Sequence, residues 1–186
     1  IDNYVAQASQ YTITMPNGEV IPKPVAISIE IYPDVGQDAT PQWIYRRYIP
    51  DAPQINGRYY GWVIDPDGNG SCPAYGAPRW GDRVWETFFN EMVLALGERY
   101  ANDSRVNSVW ICSGLYGELI AGFNACGYRY DFSRAGDFVW WVLRAMDTYR
   151  KAFPVKPLYI LNSGGSCNGT LTGQRARSLV PQIGIK

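Results

Sequence analysis

Two hydrophobic periods alternate along this chain, and that alternation constrains its fold more than any other feature. Segments with the period of two that a half-buried strand requires are separated by segments with the 3.6-residue period of an amphipathic helix. In the first clear strand, Val25, Ile27, Ile29 and Ile31 share one face and Ala26, Ser28, Glu30 and Tyr32 share the other. A helix is expected from about Asp82 to Tyr100. Trp85, Phe88, Phe89, Met92 and Leu96 form its apolar stripe and Asp82 is its N-cap. Next come a strand from Val106 to about Ser113, a helix from about Ser133 to Phe153 stopped by Pro154, and a strand from Leu158 to Asn162. A short helix near Thr172 to Leu179 and a strand start at Ile183 close the pattern. The opening, Ile1 to about Thr12, reads as the end of a helix. A long Pro- and aromatic-rich stretch, Pro33 to Trp80, holds one further strand candidate, Tyr59 to Ile64.

Strands alternating with helices predict the α/β class with a parallel sheet. Five strand signals fit the middle of a (β/α)8 TIM barrel, and a whole barrel needs about 250 residues. The 186 residues are therefore expected to be an internal fragment of a single barrel domain. The large aliphatics of the first strand would face outer helices, and Ala26, Ser28 and Glu30 would face the interior. A doubly wound α/β domain is the weaker alternative, because no Gly-rich phosphate loop follows the first strand.

Composition narrows the chemistry. Formal net charge is zero and no basic patch stands out, which argues against a nucleic-acid partner. No apolar run approaches the roughly 20 residues of a membrane span. There is no His and no Cys-x-x-Cys pair. A zinc site and His-based triads are therefore not expected. Acid–base chemistry must rest on carboxylates, Tyr, Lys or Cys, and no cofactor is implied.

Asp65-Pro66-Asp67-Gly68-Asn69-Gly70 matches the first half of a calcium loop, but Gly76 stands where the bidentate acid belongs, so an Asp/Gly turn is expected. Cys112 falls on a strand and is expected as a buried free thiol. Cys72, Cys126 and Cys167 fall in loops at one barrel end. Two of them are expected to be bonded in an extracellular protein, Cys126 with Cys167 first and Cys72 with Cys126 second. Two sequons, at Asn102 and Asn168, point the same way, to a secreted or cell-surface glycoprotein.

Barrel active sites lie at the C-terminal ends of the strands. Glu30, Glu118 and Asn162 occupy such ends. Glu118 closes the run Gly114-Leu115-Tyr116-Gly117-Glu118, whose glycines let the backbone bend as it leaves the strand. A Glu there projects into the barrel mouth, where partial desolvation suits it to general-acid work. Pairing with an Arg, or capping the next helix, is the structural alternative for Glu118; an ion pair with a barrel base is the alternative for Glu30. Aromatic residues make up 15% of the chain, and several fall in loops where packing alone does not call for them. Trp43, Trp62, Trp80, Tyr75, Tyr116, Tyr128 and Tyr130 are candidates to stack on sugar rings, against loop packing for each.

Four phrases carry a family resemblance: Pro78-Arg79-Trp80-Gly81-Asp82-Arg83-Val84, Ala95-Leu96-Gly97-Glu98-Arg99-Tyr100, Asp103-Ser104-Arg105-Val106 and Tyr116-Gly117-Glu118. Together they resemble glycosidase-like TIM-barrel proteins related to the family 42 β-galactosidases and the wider retaining glycosidase clan. The resemblance covers roughly Pro78 to Glu118, and the rest only by element order. It implies that Glu118, at the end of strand four, is the acid/base, that the strands here are two to six, and that a strand-seven nucleophile lies outside this chain. The expected partner is an oligo- or polysaccharide. Clan members usually carry Asn directly before the acid/base, to bind the sugar 2-hydroxyl; here Gly117 stands there. A non-catalytic carbohydrate-binding or structural extracellular barrel is the alternative that this departure keeps open.

Overall fold

Parallel strands cannot be joined by a tight turn; each return needs a crossover, usually helical. The structure, a computed structural model, describes residues 1–33, 37–64, 75–114, 135–161 and 183–185. Its main sheet has four strands, β3 (Val25–Ser28), β8 (Val106–Trp110), β9 (Leu158–Ile160) and β10 (Ile183–Ile185), in that spatial order and all parallel. Helix α3 (Arg83–Tyr100) lies in the connection from β3 to β8, and α4 (Ala135–Ala152) in that from β8 to β9. Ala26 pairs with Ser108, Ile27 with Val109 and Ser28 with Trp110. Beside them Val109 pairs with Leu158 and Trp110 with Tyr159. The register slips between Val25 and Ala26, leaving Asn107 as an extra residue opposite them.

The two faces of this sheet differ sharply. Ile27, Val109, Ile111, Leu158 and Ile160 are buried in one core with Phe89 and Val93 of α3 and Trp141, Val142, Ala145, Met146 and Tyr149 of α4. Burial of each large aliphatic is worth about 1.5–3 kcal/mol. On the other face Ala26 and Ser28 are exposed, and Trp110 and Tyr159 are half-buried.

Both helices begin and pack for local reasons. Asp82 caps α3 by accepting the Val84 and Trp85 amides at 2.8 and 3.1 Å. A Cβ at Gly97 would lie 2.4 Å from the Ala152 carbonyl oxygen, so its absence lets α4 come close. Arg144 of α4 holds Glu86 of α3 through two bonds of 2.5 and 2.7 Å, and Thr148 donates to Asn90 at 2.9 Å.

The sequence expectation fails at the Tyr59–Ile64 strand. It is split: β5 (Arg58–Tyr59) pairs antiparallel with β4 (Gln54–Ile55), and β6 (Trp62–Ile64) pairs antiparallel with β7 (Tyr75–Ala77). Neither pair joins the main sheet, because β3 is hydrogen-bonded directly to β8. Asn56 and Gly57 carry φ of 51° and 78°, the conformation of a tight hairpin turn. A short helix, α2 (Gln42–Tyr48), precedes these hairpins. The opening helix is shorter than expected: α1 (Asp2–Ala8) gives way to a hairpin of β1 (Thr12–Thr14) and β2 (Val20–Pro22).

Candidate functional site

The helix-free face of the sheet gathers polar and aromatic groups. Ser28 follows Ala26 on that face, and its hydroxyl lies 2.9 Å from the Cys112 sulfur. Cys112 is unbridged and buried, as expected. Burial, followed by the nearby charge of Glu30, pushes its thiol up, while the Ser28 bond acts the other way. Cys112 is thus a protonated, shielded group and not a thiolate nucleophile. Glu30 continues the alternation of Ala26 and Ser28, is exposed, and is close enough to act electrostatically on Cys112. The rings of Trp110 and Tyr159 stand 5.6 Å apart at 33°. Neither was a sequence candidate for ligand contact, although Tyr159, flanked by inward-packing Leu158 and Ile160, shows the alternation that finds it.

The segment following β3 is locked by a buried carboxylate. Asp38 accepts from the Tyr45 hydroxyl at 2.5 Å, the Thr40 amide at 2.9 Å and the Gly61 amide at 3.4 Å. Arg58 donates to its carbonyl oxygen. Burial raises the Asp38 carboxyl and, with Asp38's charge, raises the Tyr45 phenol. Thr40 accepts from the Trp85 indole at 2.9 Å, tying this network to α3. Arg79 forms a second node, donating to Asp51 at 2.5 Å and to the Gly61 carbonyl at 3.0 Å. These groups fix the loops, with Asp38 buried and Asp51 exposed at the surface.

No family model, curated protein or solved structure matches this chain. Function must be read from its residues alone, and the candidates divide as follows. Trp80 is not a sugar platform. It is 0% exposed and packs against Tyr32, Phe138 and Trp141, so no ring face reaches solvent. Trp62 has the Arg79 guanidinium 4.0 Å over its ring and donates to the Trp80 carbonyl, so it serves the loop framework. Trp43 is 53% exposed, with Phe88 and Tyr48 edge-on to it. Glu118, Tyr116, Tyr128, Tyr130 and Asn162 lie outside the described residues, as do Cys72, Cys126, Cys167, the Asp65–Gly70 turn and the Asn168 sequon. Asn102 of the other sequon is exposed just beyond α3. Among the described residues no group of His, Cys, Asp or Glu could hold a metal ion. No described helix is long and apolar enough to cross a membrane.

Proposed function

We propose that this chain is part of a carbohydrate-active (β/α)-barrel, in which Glu118 protonates the glycosidic oxygen and a carboxylate outside the chain attacks the anomeric carbon. One observation carries the reading. A parallel sheet is apolar and helix-covered on one face and bears Ser28, Glu30, Trp110 and Tyr159 on the other. A sheet curved with that second face inward is the wall of a barrel. Glu118 follows β8 by eight residues, in the segment that leaves the C-terminal end of a central strand. Because β3 adjoins β8, the strands correspond in this reading to three to six of the barrel rather than two to six. Retaining chemistry would set the two carboxyls about 5–5.5 Å apart. The exposed Asn102 sequon supports an extracellular or cell-surface location.

The second reading is a carbohydrate-binding barrel without hydrolysis, and Gly117 in the place of the clan's Asn favours it. A panel of 4-nitrophenyl glycosides and unlabelled oligosaccharides, tested on the intact protein, separates the two. Release of nitrophenol supports the hydrolase. Saturable oligosaccharide binding without release supports the binding protein. Neither turnover nor binding across the panel removes both.

A further inference from the structure

Beyond the sheet's helix-free side, a groove of about 410 Å³ opens on its helix-covered side, between the end of β3, α2 and α3. Small-molecule sites commonly enclose ~300–1,000 Å³. The wall is mainly apolar, with Ile29, Ile31, Ile44, Trp85, Phe88 and Met92. The charged residues that join them are both carboxylates, Glu30 and Glu91. Glu30 stands where β3 ends, and its charge also reaches Cys112. Glu91 is exposed on α3, and no described lysine or arginine pairs with it. The one hydroxyl among the described wall residues, on Thr40, already accepts from the Trp85 indole at 2.9 Å.

Trp43 of α2 completes the lining and is 53% exposed. Phe88 meets its ring at 5.3 Å and 85°, and Tyr48 at 6.1 Å and 74°. These two rings hold the indole in place while half of its surface stays in water. Arg47 stands over the Tyr48 ring, 5.5 Å from its centroid, and is not part of the groove wall. Each feature selects a property of the ligand. The apolar wall favours an apolar body. The aromatic face and the unpaired carboxylate both attract positive charge. A sugar fits poorly, because its hydroxyls would lose water against a wall with few free polar partners. We propose that the groove binds an amphiphilic organic cation, an alkyl- or arylammonium ion, with its apolar body against Ile29, Ile31 and Met92 and its ammonium group at the Trp43 and Glu91 rim. This site is independent of the carbohydrate reading, which rests on the other face of the sheet.

Probes of equal chain length and different head charge test it on the intact protein. Octyltrimethylammonium, octanol and octanoate are titrated below micelle-forming concentrations, with binding read by calorimetry. The cation should bind about tenfold more tightly than octanol, the combined scale of one cation–π contact and one surface ion pair. Octanoate should bind more weakly than octanol. Glu91→Gln should bring the cation close to octanol and leave octanol itself within about twofold. Trp43→Ala should weaken the cation about fivefold. Both substitutions fall at exposed positions, where the fold tolerates change. Equal binding of the cation and octanol, a cation preference that survives Glu91→Gln, or no saturable binding of the cation would overturn the proposal. So would oligosaccharide binding that Trp43→Ala abolishes, which gives the groove to a sugar, or a dimer that Trp43→Ala dissociates, which gives it to a second copy.

Discussion

At the scale of single residues, burial decides which polar and aromatic groups serve the fold. Asp38 illustrates it. Its carboxyl is raised above the usual 3.8 by desolvation. Just above pH 3.8 the folded chain therefore keeps a proton that the unfolded chain has lost. Asp38 thus reduces stability as pH rises through that window, and the loss is complete above the raised value. Asp38→Asn should flatten this part of the profile, read as urea midpoints at successive pH values from about 4 upward. Identical slopes for the two proteins would contradict the assignment. The buried Trp80 and the exposed Trp43 make a second test. Trp80→Ala should cost about 3–5 kcal/mol, as a large core truncation does. Trp43→Ala should cost far less, because half of its surface remains in water. From sequence the two looked alike, both aromatic residues in a loop. Only the convergence of Tyr32, Phe138 and Trp141 on Trp80 separates them, and no local pattern encodes it.

At the scale of elements, the phrase Leu96-Gly97-Glu98-Arg99-Tyr100 that carried the resemblance has structural duties. Gly97 admits Ala152, while Arg99 and Tyr100 hold Asp2. Nearby, Asp103 pairs with Arg105 at 2.6 Å, and Lys156 donates to the Asp103 and Val106 carbonyls at 2.7 and 2.5 Å. These residues set how α3 turns into β8. Gly97→Ala weighs two effects. Helix propensity favours Ala by about 1 kcal/mol, but the new Cβ must displace the Ala152 backbone, at a cost of about 1–3 kcal/mol. The variant should therefore be less stable than the parent by thermal unfolding; a gain in Tm would show that α4 yields easily. The α3 helix was legible because its cap and apolar stripe agree. The β4–β5 hairpin turning at Asn56-Gly57 was not anticipated, and Tyr59 to Ile64 reads as one run. Gly61 divides it, and a Cβ there would collide with the Arg79 backbone, a long-range constraint invisible in the run itself.

At the scale of the whole molecule, the parallel direction of the segments at 25–28, 106–110, 158–160 and 183–185 was readable because strand and helix periods alternate with crossovers of sufficient length, but the direct pairing of 25–28 with 106–110 was not, since the Tyr59–Ile64 segment was expected between them. The helix-covered face was readable from Val25, Ile27, Ile29 and Ile31. The site was less so, since pairing partners, and not spacing, bring Ser28 to Cys112 and Trp110 to Tyr159. The central claim remains that Glu118 is a general acid in a carbohydrate-active barrel. Its most direct test is the leaving-group dependence of hydrolysis by the intact protein and its Glu118→Gln variant. With a glycoside whose leaving group needs protonation, the variant should lose at least ~100-fold in rate. With an activated 4-nitrophenyl leaving group the glycosylation step should lose far less, because little proton donation is required. Equal rates for the variant and the parent on the unactivated substrate would contradict the claim.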